Sequence, residues 1–148
     1  MDILDFDPSV GGQAIELFQR VIGAKLPKQY VDFLVQYNGG QPSPDVFQIA
    51  DWNDASSVQN FYKINSNHNY DDLLWIYRTF SERIPSEFLA VASDPGGNQI
   101  CIAVSGQNYG KVFYWDHEKE MDEGSAAGMQ NITLIAENFS VFLSSLHE

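Results

Sequence analysis

Cysteine and basic residues are scarce in this 148-residue sequence, and each shortage excludes a class of protein. Cys101 is the only cysteine, so the chain can form neither an internal disulfide nor a thiolate metal cluster of its own. Eight Lys and Arg residues stand against 20 Asp and Glu residues, which gives a formal net charge of −12. This charge repels phosphate backbones and anionic lipid, so we expect no nucleic acid and no membrane surface as a partner. The negative charge would attract a basic protein surface; the alternative is that it only keeps the protein soluble.

Long apolar runs are missing as well. No stretch approaches the ~18 apolar residues of a membrane span, and the segment from Met1 to Pro8 has no basic leader followed by an apolar run. We therefore expect no signal peptide and a cytoplasmic protein. Material for a core is ample, since 44% of the residues are apolar and the sequence contains 10 Phe, 7 Tyr and 3 Trp. A chain of this length predicts one domain spanning residues 1–148, because domains commonly hold about 100–200 residues.

Apolar residues at helical spacing predict four α-helices, of which the second has the clearest pattern. Leu26 and Pro27 open this helix, and its apolar stripe includes Tyr30 and Phe33. Proline is favoured at the first helical position, where its missing N–H needs no partner. Gly39 and Gly40 close the helix, because glycine accepts the left-handed conformation that follows a helix end.

The other three helices are predicted at about 13–22, 70–81 and 136–146. In the helix at 70–81, Asn69 is expected to be the N-cap. Asp71 and Asp72 would then lie in the first turn, where their charge complements the helix dipole.

Between the last two helices the apolar period changes to that of β-strands. Strands are predicted at about 88–92, 99–104 and 111–115, with weaker candidates at 45–50, 58–64 and 132–134. The first turn between them has Pro95 and Gly96 at its central positions, which predicts type II geometry. Cys101 lies in a strand that is apolar on both faces, so we expect an inert core residue. The whole pattern predicts an α+β domain with an antiparallel sheet flanked by about four helices.

Residues that could catalyse a reaction or hold a metal form no recognisable motif. Residues 106–111 read G-x-x-x-G-K, one residue short of a phosphate loop, and Val112 follows where a hydroxyl residue is required. No G-x-S-x-G elbow is present, and the histidines His68, His117 and His147 are spread along the chain. We therefore predict no catalytic, cofactor-binding or metal-binding residue, and a protein that is not an enzyme.

The polar stretch at 41–72 is the region where we expect a partner to bind, because loops on a fixed scaffold usually carry specificity. It holds an indole flanked by carboxylates, a combination that suits a binding hot spot. The residues predicted to contact the partner are Asp51, Trp52, Asp54, Asp71 and Asp72.

Four ordered segments together resemble a known family. The first reads Leu26-Pro27-x-x-Tyr30 and runs through an apolar helix into Asn-Gly-Gly; the second, at 88–102, reads FLAVASDPGGNQICI. The third, at 110–118, ends in Trp-Asp-His-Glu, and the fourth is the terminal FSVFL at 139–143. Over residues 11–146 this order is similar to the SUKH superfamily, in its Smi/Knr branch. Pro95 departs from that pattern, which puts a ligand role of its turn in doubt.

Structural roles are predicted for the positions that match the family's motifs. These positions are Leu26, Pro27, Tyr30, Gly39, Gly40, Asp94, Gly97, Asn98, Trp115, Asp116 and His117. Asp94 and Asn98 are expected to serve the turn first, and Trp115 to end a buried strand. Asp116 is expected to cap a turn, with His117 holding its other side.

The resemblance implies a SUKH-like fold and a function without catalysis. Bacterial members look like immunity proteins that neutralise a cognate polymorphic or contact-dependent toxin domain, often a nuclease. An acidic inhibitor suits such a toxin, because its cleft for phosphates is basic. Two alternatives stay open: a regulatory protein-binding scaffold, as in eukaryotic relatives, and a small-ligand module or enzyme that would use Asp94, Asn98 and His117.

Overall fold

The computed structural model describes residues 1–8, 10–49, 54–120 and 127–148. Within these residues the α-helices are α1 (Gly12–Ile22), α2 (Lys28–Gln36), α3 (Leu73–Phe80) and α4 (Phe139–Ser145). The strands are β1 (Asp2–Leu4), β2 (Gln41–Ser43), β3 (Val46–Ile49), β4 (Asp54–Ser57), β5 (Asn60–Phe61), β6 (Phe88–Ser93), β7 (Gln99–Ala103), β8 (Val112–Trp115) and β9 (Ile132–Ala136). Short 3-10 helices cover Asn69–Asp71 and His117–Lys119. None of the described helices is long and apolar enough to span a membrane.

A five-stranded antiparallel sheet with the order β5-β6-β7-β8-β9 forms the centre of the fold. Every residue of β7 and β8 is buried, because these central strands are covered on both faces. Cys101 of β7 is fully buried, as its apolar surroundings in the sequence predict. Two smaller antiparallel pairs, β1-β2 and β3-β4, lie outside this sheet. The predicted α+β class, with antiparallel pairing and four helices, is confirmed.

An aromatic cluster joins α2, α4 and β5. The ring of Phe33 lies 4.8 Å from that of Phe61 and 5.3 Å from that of Phe139, measured between centroids. Tyr30 packs on Phe139 at 5.2 Å in an edge-to-face arrangement, which aromatic quadrupoles favour. The helical spacing of Tyr30 and Phe33 thus places both rings toward the core, as predicted.

The ends of α2 differ from the prediction in detail. Pro27 is the N-cap, with φ −57° and ψ 142°, and Lys28 rather than Pro27 is the first helical residue. The helix ends at Gln36, and the first left-handed φ (48°) belongs to Asn38, before the two glycines. Asn38 can adopt this conformation because its buried amide donates to the Ile64 carbonyl at 3.0 Å and accepts from the Ile64 N–H at 2.8 Å. Tertiary hydrogen bonds therefore decide where this helix stops.

The N-cap predicted for α3 is wrong. Asn69 belongs to a 3-10 turn, and Asp72 caps the helix by accepting from the Trp75 N–H at 3.0 Å. Asp72 also accepts from the Ser66 N–H at 3.1 Å, so one carboxylate holds both the loop and the helix start. The two carboxylate oxygens accept one bond each, and the extended backbone of Asp72 places this residue between the loop and the helix.

The last helix also begins later than predicted, at Phe139 instead of residue 136. Residues 132–136 are paired with β8 as β9, and Asn138 starts the helix by accepting from the Val141 N–H at 2.9 Å. The strand extends further than its apolar pattern predicts because backbone pairing with β8 continues to Ala136.

Removing the Asp72 cap should destabilise the fold measurably. We expect Asp72→Ala to lower the free energy of unfolding by about 1–2 kcal/mol, the range of N-cap losses. Urea unfolding followed by circular dichroism would measure this, with Asp32→Ala on the exposed face of α2 as the control. An equal, small loss in both variants would show that the cap contributes nothing.

One strand prediction and one turn prediction are corrected. Residues 58–64 form only the two-residue β5, while β1, β2 and β4 have no counterpart in the prediction. The turn after β6 is not type II, since the positive φ (85°) falls on Gly97 and not on Gly96. The Asp94 carboxylate accepts from the Gly96 N–H at 2.9 Å, and this local bond holds Gly96 outside the left-handed region.

Candidate functional site

A cleft of ≈ 770 Å³ separates the β3–β4 hairpin from one end of the central sheet. Ile49 and Asp54 line it from the hairpin. Asp94 and Asn98 of the turn after β6, together with His117 after β8, line it from the sheet. We call this the hairpin cleft. It unites segments that lie more than sixty residues apart in the sequence, so the fold alone creates it.

Asp94 is the centre of the hydrogen bonds that build the cleft. Its Oδ1 accepts from the N–H groups of Gly96 and Asn98, each at 2.9 Å. Its Oδ2 accepts from Ser56 Oγ at 2.8 Å and Tyr114 O–H at 2.6 Å, with Asn98 Nδ2 at 3.1 Å. The residue is only 3% exposed. One carboxylate therefore joins the turn, the sheet and the hairpin.

The charge of Asp94 is maintained by its donors. Burial alone would raise the pKa of this carboxyl, but hydrogen bonds from Tyr114, Asn98 and Ser56 outweigh burial and hold the pKa below its ordinary value. The pKa of Tyr114 is raised by burial and by its bond to the carboxylate. At neutral pH the pair is therefore an ionised acceptor with a neutral phenol donor.

The segment after β8 forms the floor of the cleft on the side of the sheet. Asp116 caps the 3-10 helix by accepting from the Glu118 N–H at 3.0 Å, and Asn98 Oδ1 accepts from the His117 N–H at 3.0 Å. A Cβ on Gly97 would lie 3.8 Å from the imidazole of His117. The turn and this segment are thus hydrogen-bonded to each other. Glu118, in the same segment, is exposed at the rim of the cleft.

Most of the charged residues that line the cleft are acidic. Asp54, Asp94, Asp116 and Glu118 contribute carboxylates, and Lys119 also lies on the lining. The sequence has no Lys or Arg at all in 29–62 or in 84–110, the stretches that supply the hairpin and the turn. The local field should therefore attract a cationic surface.

Among the described residues, the only cysteine is buried and no cluster suited to a metal ion is present. The thiol of Cys101 is fully buried in β7, and burial raises its pKa, which disfavours the reactive thiolate. In the described ranges no three His, Cys, Asp or Glu side chains are placed to hold one metal ion.

The structure separates the side chains that were predicted to contact a partner. Asp51 and Trp52 lie outside the described residues. Asp54 is exposed at the start of β4 and lines the hairpin cleft. Asp71 is buried, accepts from the Ser66 hydroxyl and borders a different cleft, while Asp72 caps α3. Of the three described members, Asp54 and Asp71 therefore border different clefts, and Asp72 lines neither.

Family-motif positions lie partly in the core and partly on the cleft. Leu26, Tyr30 and Trp115 are buried, whereas Asn98 and His117 line the hairpin cleft. Sequence reasoning missed Ser56 and Tyr114 as partners of Asp94. Tyr114 carried a weak signal, since it is a polar-tipped residue within a buried strand; Ser56 carried none.

Comparison with known proteins agrees with the motif order. The family model described as "SMI1 / KNR4 family (SUKH-1)" matches residues 10–145. This range includes every residue that lines the hairpin cleft. The chain is also 27% identical, over 157 residues, to the "SPbeta prophage-derived uncharacterized protein YokK" of Bacillus subtilis (strain 168). That match covers 94% of this chain and 76% of the relative.

Proposed function

This chain belongs to the SMI1/KNR4 family (SUKH-1), and from that membership we propose that it is an immunity protein. It binds a cognate toxin domain in the cytoplasm and neutralises it without catalysing a reaction. Proteins of this family are known as toxin-immunity proteins. The partner carries a basic surface, as the phosphate-binding cleft of a nuclease toxin does, because the net charge of this chain is −12.

The hairpin cleft is the proposed toxin surface, and its acidic lining is the observation that carries the proposal. Asp54 stands on the hairpin and Glu118 on the segment across the cleft, both exposed. The hydrogen bonds of Asp94 hold the two sides in a fixed relation. A preformed acidic cleft loses little conformational entropy when a basic element enters it. Asp51 and Trp52, close to Asp54 in the sequence, are proposed to contact the toxin as well.

Neutralising the two rim carboxylates should weaken toxin binding through slower association. We expect Asp54→Asn with Glu118→Gln to reduce affinity about tenfold at low salt, mainly in the association rate, and less at high salt. Surface plasmon resonance against the cognate toxin domain would measure both rates. Trp52→Ala with Asp54→Ala tests the indole and should slow association and speed dissociation.

The matched control removes two charges elsewhere. Glu16→Gln with Asp32→Asn neutralises exposed residues of α1 and α2, away from the cleft. An equal loss in the control would mean that only net charge matters and would eliminate the cleft as the surface. A wild-type protein that captures no toxin would end the immunity proposal.

A small-ligand site is the second candidate, because Asp94, Asn98 and His117 do line one cleft. It would show as a ligand-dependent rise in melting temperature that His117→Ala abolishes. The regulatory scaffold would instead show several partners of modest affinity.

A further inference from the structure

A second cleft, of ≈ 690 Å³, lies where the segment after β1 faces the loop between β5 and α3. We call it the aromatic cleft, and its principal lining residues are Asp5, Phe6, Lys63, His68, Tyr70 and Asp71. The loop is held in place by its backbone. Lys63 N–H donates to the Asp71 carbonyl, and Leu73 N–H donates to the Lys63 carbonyl, both at 2.7 Å. The cleft therefore has a supported wall.

Two aromatic rings are exposed in this cleft. Tyr70 is 69% exposed and Phe6 is 51% exposed. The Tyr70 ring stacks on His68 with centroids 5.1 Å apart and an interplanar angle of 13°, so one of its faces is supported and the other is open. Phe6 is held edge-on against Tyr37 at 6.1 Å and 88°. Supported rings with open faces are suited to contact by a flat cationic group.

The charged residues around these rings determine whether a cation or an anion is favoured in the cleft. Asp5 is exposed on the lining, and Asp7 and Asp71 are also lining residues. Lys63 is the single Lys or Arg among the described lining residues. Acidic residues outnumber basic ones on this lining, so a cation would gain from the exposed Asp5 carboxylate and from the ring faces together, whereas an anion would be repelled. A neutral sugar would use the rings but gain nothing from the charge.

We propose that the aromatic cleft binds an arginine side chain of a protein partner, with the guanidinium on the open face of Tyr70 and within reach of Asp5. Arginine is favoured over lysine because its planar group stacks on a ring while it pairs with a carboxylate. This site does not require the hairpin cleft to bind a toxin, and it can be tested with a small probe.

The probe is N-acetyl-arginine amide, titrated into the folded, isotope-labelled chain and followed by NMR amide shifts at residues 5–7 and 63–71. We expect Tyr70→Ala to weaken binding about threefold, the loss of an exposed cation–π contact. Lys63→Met should strengthen binding about two- to fivefold, since it removes a like charge and keeps the aliphatic stem that packs near Gly39. Lysine amide should bind more weakly than arginine amide.

Controls separate the possible occupants. N-acetyl-citrulline amide has nearly the shape of the arginine probe without its charge, and methyl glucoside tests a carbohydrate. Trp75→Ala removes an exposed ring outside the cleft and should leave affinity unchanged. Citrulline or glucoside binding as well as arginine, or weaker binding by Lys63→Met, would overturn the proposal. Should Tyr70→Ala fold poorly, the direction in which Lys63→Met changes the affinity for the arginine probe still tests the proposal. None of these results tests whether the chain binds a toxin.

Discussion

Gly40→Ala is expected to lower the free energy of unfolding by about 4 kcal/mol, the sum of backbone strain and overpacking. The glycine has φ +112°, a conformation that residues with a Cβ rarely adopt. An added Cβ would lie 2.5 Å from the Leu4 carbonyl oxygen and 2.6 Å from Ile3 Cγ2. Gly40 cannot readily shift away from these atoms, because two backbone hydrogen bonds of 3.1 and 2.8 Å fix it to Phe61.

Gly110→Ala is the matched control for this experiment. Gly110 has a similar positive φ of +88°, but nothing lies within 4 Å of its added Cβ. It should lose only the strain contribution, about 1–2 kcal/mol. Chemical denaturation of both variants and the wild type gives the comparison, with expression yield as a supporting readout. Equal losses in the two variants would contradict a role for the close approach of β1.

Asp94→Ala is expected to cost about 3 kcal/mol of unfolding free energy, because it removes a buried, charged acceptor from several donors at once. The loss affects the side chains of Ser56, Asn98 and Tyr114 and the backbone of the turn. Ser56→Ala removes only one of these donors and should cost about 1 kcal/mol. Urea unfolding of the two variants measures the difference. If Asp94→Ala costs no more than Ser56→Ala, the shared carboxylate is not the organising group.

The pH dependence of stability gives an independent check on Asp94. Its pKa is lower in the folded chain than in the unfolded chain, since the hydrogen bonds of Tyr114, Asn98 and Ser56 outweigh burial. Its contribution is therefore fully present above the unfolded-state pKa, near 3.9, and is lost as pH falls through the folded-state pKa. We expect the stability of Asp94→Asn to fall less than that of the wild type over this acidic range. A parallel decline in both proteins would contradict the shift.

These effects also guide which residues should be used to test binding. Asp94 positions both sides of the hairpin cleft, so its removal would confuse a lost contact with a displaced hairpin. Asp54 and Glu118 are exposed at the rim, and their neutral isosteres leave the framework intact. A selective loss of toxin binding in those variants can therefore be attributed to charge at the surface.

The amino-acid order alone determined the class of fold and much of its interior. Helical spacing placed Tyr30 and Phe33 in the core, and the double-faced apolar strand placed Cys101 there. These predictions succeed because burial of a periodic apolar face is a local property of the sequence. The charge count also follows from the sequence alone, and with it the expectation of a basic partner.

Only the tertiary structure decided the ends of the elements and the assembly of the clefts. The four residues of β4, Asp-Ala-Ser-Ser, have no strand pattern of their own, and pairing with β3 makes them a strand. Ser56, Asp94 and Tyr114 meet across 38 and 20 residues of chain. Contacts of this kind depend on how distant segments pack, and no local periodicity encodes them. The acidic character of the chain was thus readable in the sequence, whereas the placement of Asp54 and Glu118 on one cleft came from the fold.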